Sequence, residues 1–549
     1  MFLASQSLKR VRSLSIISSS TGSNNIMKTR QALSTSLGVL ATLSSQHLCW
    51  TASALPFGTR GASSDTTTNE DNAEAVTDAM GEIVRIHLPK GNNNEENDNR
   101  NPVVEAFFAA GDTSSSSSND DVLLFQEIQS QAQNLSSFLT STRRNFHQRP
   151  ELMYQEKETS AMIQATLQQL DIPHSTGWAV NTHPTVIPGP GGYGIVADIG
   201  TGQAPCVLLR ADMDALPIHE RTEQVDNFRS QTPDQMHACG HDGHTTMLLG
   251  AAAILKGMEE SINGTVRLMF QPAEEGGAGA KRMVEEGVMT LQPPPQHAFG
   301  LHVWPTLPSG SIAGRPGPLL AAAERFEILI AGTGGHAAMP HLTHDPIVTA
   351  SAIIMNLQTV VSRTMSPLES GVVSITKMEA GDAFNIIPAS ALLRGTIRAL
   401  STETLMTLRD RVHHIMESTA AVHGCNVTIT YSPDYYPPTV NDPELYHTFS
   451  KDIAAQISTE GYTRDTEPTM GGEDFSFVAE QVPSTFFLLG QGSGQDPPTN
   501  YGLHHPHFAL DESVMPQGVE LHVNLALRAL RRLGQQQQQQ QTDDVKAAA

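Results

Sequence analysis

Apolar runs of strand length alternate with stretches of helical periodicity through the middle of the chain. Gly194–Ile199, Cys206–Arg210 and Thr265–Phe270 read as buried strands, while His244–Met258 and Ala278–Glu286 carry a helical period. That alternation predicts an α/β domain with a mostly parallel central sheet. A different order follows it: a strand Phe326–Ile330, a helix Pro346–Ser362, strands Val372–Ile375 and Ala391–Ile397, and a helix Thr402–His423. With a last strand before Thr430, the order β-α-β-β-α-β predicts a smaller ferredoxin-like α+β insert of about 110 residues. The expected organisation is a main domain over 122–321, the insert over 322–431, and the rest of the main domain over 432–533.

The ends do not share these patterns. Residues 1–64 contain no acid but hold Lys9, Arg10, Arg12, Lys28, Arg30 and Arg60. Met27–Arg30 precedes a mildly apolar run, Ala32–Leu43, and Ala52-Ser53-Ala54 has the small residues of a cleavage site. A removed targeting presequence is expected. The Ala52–Pro56 junction resembles the signal/transit boundary of bipartite plastid presequences, so an organelle (the plastid among them) or the secretory pathway is the expected destination. On a secretory route, Asn134, Asn263 and Asn426 lie in glycosylation sequons. Residues 65–121 reverse the sign, with thirteen acids against Arg85, Lys90 and Arg100. They read as a disordered acidic linker, and the Gln-rich 534–549 as a disordered tail.

Composition removes several classes. A net charge of −23 argues against a nucleic-acid partner. Four cysteines in 549 residues exclude a disulfide scaffold. No run approaches the roughly 18 apolar residues of a membrane span, so no membrane role is expected.

Chemistry gathers in four places. Met236–His244 packs three histidines, Cys239 and Asp242 into nine residues, with Gly240 and Gly243 free to turn the backbone. Those are ligands for soft and borderline metals; a Cys239 nucleophile activated by a nearby imidazole is the rival reading. Glu274 and Glu275 adjoin each other just after a predicted strand, where two carboxylates repel unless a cation or proton intervenes. Asp212 and Asp214 follow another strand, placed to accept from the second nitrogen of a ligating histidine. His302, His504 and His505 add imidazoles from far along the chain.

Nine segments in order resemble the metal-dependent amidohydrolases that include aminoacylases, hippurate hydrolase and auxin-conjugate hydrolases. They are Arg143–Leu152, Arg210–Pro217, His237–His244, Phe270–Glu275, Gly334–Ala338, Asn385–Pro388, Gly395–Arg398, Gly472–Phe475 and Leu503-His504. The resemblance implies a catalytic α/β domain with two divalent ions, Mn or Zn, and a lid domain that mediates homodimerisation. It carries over Cys239, His241, Glu275, His302 and His504 as metal ligands, with Asp214 as an orienting acid. It also makes Glu274 the general base, His336 the donor to the oxyanion, and Asn385 and Arg398 the grip on the substrate carboxylate. A structural salt bridge is the alternative for Arg398, and Glu473 and Asp474 match an acidic motif near the site. His505 stands where the subgroup commonly has Ser, which leaves His504 and His505 competing for one role.

The implied reaction is hydrolysis of a small N-acyl amino acid to a carboxylic acid and an amino acid. A dipeptidase or carboxypeptidase of the same fold is the nearest alternative. A cysteine-nucleophile amidase and a metal-stabilised binding protein come from other classes.

Overall fold

The computed structural model describes residues 101–109 and 117–548, apart from the single positions 224, 226, 464 and 496. The expected presequence and most of the expected linker lie outside the described residues. The linker's C-terminal end differs from expectation: it forms helix α1 (Pro102–Ala109) and the start of α2 (Ser117–Asn134). The apolar content of α1 decides this, since Val104 and Phe107 are buried in the core and Arg531 lies over the Phe107 ring.

Helices α3 (Ser136–Gln148) and α4 (Lys157–Gln169) lead into β1 (His174–Val180), β2 (Gly191–Gly200) and β3 (Cys206–Asp212). Then come α5 (His241–Gly257), β4 (Thr265–Gln271), α6 (Gly279–Glu285), β5 (His297–Trp304) and β6 (Ile312–Ala313). The insert follows as β7 (Ala322–Ala331), α7 (Pro346–Thr359), β8 (Gly371–Ala380), β9 (Ser390–Ala399), α8 (Thr402–Val422) and β10 (Asn426–Tyr431). The main domain resumes with β11 (Tyr462–Thr463), β12 (Ser484–Gly490) and α9 (Met515–Ala548).

The main sheet runs β1-β2-β4-β3-β5-β12-β6-β11. Its four central strands, β4, β3, β5 and β12, are parallel, while β1, β2 and β6 join antiparallel. The parallel character expected from sequence thus holds at the centre of a mixed sheet. Strands β3 and β4 are buried along their whole length, as near-continuous apolar runs require. Helix α5 is buried from His241 to Leu255. Gly250 lets its neighbours close in, because a Cβ there would sit 2.7 Å from Val519 and 2.8 Å from Leu139.

The insert has the expected ferredoxin-like order. Its antiparallel sheet runs β8-β9-β7-β10, and α7 and α8 pack on one face around Phe326, Ile328, Leu393, Ile397 and Val412. Where the chain leaves the insert, Ala323 and Tyr436 exchange two backbone hydrogen bonds of 2.9 Å. At the other end, α9 continues through the glutamines that read as a disordered tail. Gln is a good helix former, and the packed N-terminal half of α9 supplies the nucleus that an isolated tract lacks.

Candidate metal centre

The carboxyl ends of the parallel strands carry the chemistry, as in other open α/β sheets. Asp212 ends β3, the turn containing Glu274 and Glu275 follows β4, and His302 lies near the end of β5. Cys239 precedes α5, which begins at His241 rather than His244 because Gly240 caps it in the left-handed region with φ 100°. His241 is therefore in the first helical turn, facing the strand ends.

Ligand atoms of Cys239, His241 and His302 lie within 4.8 Å of one another, as do those of Cys239, Glu275 and His504, and those of His241, Glu274 and Glu275. The Cys239 Sγ is 3.3 Å from His302 Nε2. His302 Nδ1 donates to the Val303 carbonyl at 2.7 Å, which leaves Nε2 as the lone-pair nitrogen facing the thiol. His504 Nε2 lies 3.2 Å from Glu275 Oε1, and its backbone N–H donates to Ala238 at 2.8 Å. His505 turns away and stacks on Tyr501 at 4.7 Å, so of the two competing histidines His504 is the one at the cluster.

His241 is buried with neither ring nitrogen hydrogen-bonded, and Glu275 Oε1 is also without a hydrogen-bond partner. The carboxylate oxygens nearest to the His241 ring are Asp214 Oδ1, 3.3 Å from Nδ1, and Asp212 Oδ2, 3.8 Å from Nε2. Orphaned buried groups beside a thiol, two further imidazoles and a carboxylate fit a divalent cation. His244 is spent differently: Nδ1 donates to Asp212 at 2.7 Å while Nε2 accepts from the Val303 N–H at 3.0 Å. It ties β3 to β5. Burial, with Glu275, Glu274 and Asp212 nearby, pushes the Cys239 thiol well up. A cysteine nucleophile needs the opposite surroundings.

The turn carrying the two glutamates is fastened from six sides, one of them Arg325, which donates to the Gly276 carbonyl at 2.8 Å. Asp214 accepts from the N–H of Glu274 at 2.9 Å and of Glu275 at 3.0 Å. Glu156 accepts from Ala273 at 2.8 Å, and Asp474 from Ala280 at 3.0 Å. Tyr154 donates to the Gly277 carbonyl at 2.6 Å. The Tyr436 hydroxyl donates to the Glu274 carbonyl at 2.6 Å and accepts from Gly276 and Ala278, each at 3.0 Å. Burial, then Glu473 and Glu275, raise the Glu274 carboxyl well above its ordinary value. Burial also acts upward on Glu275, but the His504 imidazole beside it and the charge of His241 outweigh it and bring Glu275 down.

Beneath the turn lies a buried cation that the sequence reading passed over. Arg210 reaches Asp212 at 2.7 Å, Asp474 at 2.8 Å, Glu473 at 2.9 Å and the Gln271 side-chain oxygen at 2.7 Å. Even so, burial lifts Asp474 to about 7. An arginine inside an otherwise apolar strand signals such an acidic cluster, because a buried charge must be paired. Tyr436 carried no such signal, lying 162 residues from the carbonyl it binds.

A cleft of about 620 Å³ opens over the cluster, lined by Cys239, Glu274, His302, Arg325, Arg398 and Tyr436 among others. Arg398 is half-buried and has no hydrogen bond or ion pair among the described residues, so the salt-bridge reading of it finds no partner. His336 and Asn385 differ: both are exposed on the insert, by the short pairing of Gly335-His336 with Ile386-Ile387, and neither lines the cleft. One chain does not bring them to the cluster.

The sequence profile of peptidase family M20/M25/M40 matches residues 208–528. The chain is 42% identical over 400 residues to IAA-amino acid hydrolase ILR1-like 4 of Arabidopsis thaliana, covering 72% of this chain and 86% of the relative. It is 36% identical over 402 residues to N-acetylcysteine deacetylase of Bacillus subtilis, covering 72% and 97%. Thermostable carboxypeptidase 1 of Saccharolobus solfataricus is 36% identical over 408 residues, covering 74% and 98%. Among solved structures, the Bacillus subtilis YXEP protein, a dinuclear metal-binding peptidase, superposes with a TM-score of 0.58 at 33% identity, covering 72% of this chain and 99% of that one. With its strand-end cluster of thiol, imidazole and carboxylate, the chain belongs to peptidase family M20/M25/M40 and is an amide-bond hydrolase that uses a divalent metal.

Proposed function

We propose that the chain hydrolyses N-acyl amino acids to a carboxylic acid and a free amino acid, as a homodimer. The observation that carries this reading is one cleft holding two opposed features. Glu274 and Glu275 in its lining adjoin the buried His241, whose ring nitrogens are unbonded, while Arg398 in the same lining offers a guanidinium with no ion pair among the described residues. Cys239, His241, Glu275, His302 and His504 would hold two divalent ions, with Asp214 orienting His241. Bound there, the ions supply Lewis acidity and positive charge. A thiolate ligand favours Zn, and the imidazoles and carboxylate accept Mn as well.

Glu274 adjoins the ligand set, and burial gives it the raised proton affinity of a general base. It takes the proton of the attacking water and delivers it to the leaving amine. Arg398 grips the substrate carboxylate as a bidentate fork, helped by Asn385. His336 donates to the developing oxyanion. Because His336 and Asn385 do not line the cleft of their own chain, the partner subunit supplies them. The basic leader supports delivery to an organelle or the secretory pathway.

A screen of acyl and aminoacyl variants, with Mn or Zn restored after chelation, tests the reading. Turnover of N-acyl amino acids that depends on added metal is expected. Release of C-terminal residues from peptides, with N-acyl amino acids left intact, would move the assignment to the carboxypeptidase alternative.

A further inference from the structure

The insert presents one face of its sheet to the cleft, and that face is cationic. Arg325 on β7 pairs with Thr396 on β9, and Ala323 pairs with Arg398, so the two arginines are diagonal neighbours on the same face. Both line the cleft. Each head lies against a glycine next to an active-site acid: Arg325 against Gly276, beside Glu275, and Arg398 against Gly472, beside Glu473. A Cβ on Gly276 would stand 2.8 Å from Arg325 Nη1, and one on Gly472 would stand 3.1 Å from Arg398 Nη1.

Among the described residues no carboxylate forms an ion pair with either arginine. Arg325 spends one donor on the Gly276 carbonyl at 2.8 Å and has no ion pair among the described residues. Of the acids nearby, Glu473 and Asp474 are engaged with Arg210, and Asp434 with Lys281 and Arg282, while Glu274 acts on Arg398 only from beyond ion-pair distance. Two like charges side by side repel, and an anionic ligand relieves that cost. A substrate with a single carboxylate satisfies one fork, whereas a second carboxylate one or two methylenes away satisfies both.

We infer that the amine half of the substrate is an acidic amino acid, aspartate or glutamate, whose α-carboxylate meets Arg398 and whose side-chain carboxylate meets Arg325. This rests on the N-acyl amino acid reading above. Arg325 is then the residue that sets the choice of amino acid, while the apolar side of the cleft, with Trp304, Leu320 and Leu503, is left for the acyl group.

The test compares kcat/KM for N-acetyl-aspartate, N-acetyl-glutamate, N-acetyl-alanine and N-acetyl-leucine in metal-loaded wild type and in Arg325→Met, which keeps the stem and loses the fork. Wild type should favour the two acidic substrates. Losing the bond to the Gly276 carbonyl lowers all four rates alike, so the inference is read from selectivity: the ratio of acidic to neutral kcat/KM should fall about 10–100-fold in the variant, the value of one charge-assisted bond pair. Equal loss on all four, with the ratio unchanged, would mean that Arg325 acts only through the turn or on the shared α-carboxylate, and would overturn the inference, as would an absent preference in wild type. A wild type that hydrolyses none of the four would overturn the proposed function and this inference with it. Arg325→Lys keeps the charge and loses the fork; intermediate selectivity is expected, and selectivity equal to Arg325→Met would refute the role of charge at this position.

Discussion

Tyr436→Phe removes one oxygen atom from the molecule and loosens the turn that carries Glu274, the proposed general base. The hydroxyl makes three hydrogen bonds: it donates to the Glu274 carbonyl and accepts from the N–H groups of Gly276 and Ala278. Gly276 N–H keeps a 2.6 Å contact to the Glu274 carbonyl, so Ala278 is the donor left unsatisfied. An orphaned buried donor costs about 1–3 kcal/mol, and two further lost bonds add about 0.5–1.5 kcal/mol each. The ring stays, so no cavity contributes. The sum is a loss of roughly 2–6 kcal/mol in folding stability. Urea unfolding of wild type and variant, both metal-loaded, measures it. Because the turn positions Glu274 and not the substrate carboxylate, kcat should fall at least about tenfold while KM moves by less than about threefold. Metal content should match wild type, since Asp214 still fastens Glu275. An unchanged kcat in a protein that is less stable would show that the bonds hold the fold without positioning the base. Unchanged stability would refute the bond count itself.

Glu274→Gln keeps the size of the side chain and removes the proton acceptor, so metal content should persist while kcat falls about 10²–10⁴-fold; turnover near wild type would remove Glu274 from that role. Cys239→Ser should lower the metal bound per chain, measured by elemental analysis, whereas a nucleophile-only Cys239 would leave it intact. A mixture of His336→Ala and Glu274→Gln chains, each inactive alone, should recover about a quarter of wild-type sites after subunit exchange, because half the dimers then contain one complete site. No recovery despite exchange would return His336 to its own chain. Burial raises Glu520 to about 7 against the partial relief of a bond to Gln133, so its stability cost is absent below about pH 4.5 and grows as pH rises towards 7. Glu520→Gln should therefore raise stability at pH 8, by about 1–3 kcal/mol, and change little at pH 4; equal effects at both would contradict the assignment.

The parts legible in the sequence were those encoded by neighbours in the chain. The β-α-β-β-α-β order of the insert, the apolar runs of β3 and β4, and the density of ligands around Cys239 all depend on residues a few positions apart. His244 shows the limit of that evidence: its residue type and spacing match a ligand, yet its two nitrogens are consumed by Asp212 and Val303. Only the register of β3 against β5 decides that. Tyr436 and Arg325 were invisible for the same reason, since each acts on the 274–278 turn from a strand or loop far along the chain. The helices at both ends differed from a compositional reading. Val104 and Phe107 find a core that charge counting did not anticipate, and α9 carries its glutamines as an extension of a packed helix.

The insertion also imposes an order of assembly during synthesis. Every strand pair of the insert's sheet falls between Ala322 and Tyr431, so that unit is complete as soon as β10 has emerged from the ribosome. The main sheet is not: β5 meets its parallel neighbour β12 only when Ser484–Gly490 has been made. At about 5–20 residues per second, Trp304 waits roughly 10–40 s for its partner strand, with the open edge of β5 available for pairing with another nascent chain. His504 emerges later still. The candidate metal centre is therefore completed after the insert and after the sheet, with only α9 still to come. A chain that stops short of Ser484 can contain a finished insert while lacking both the complete sheet and the metal centre.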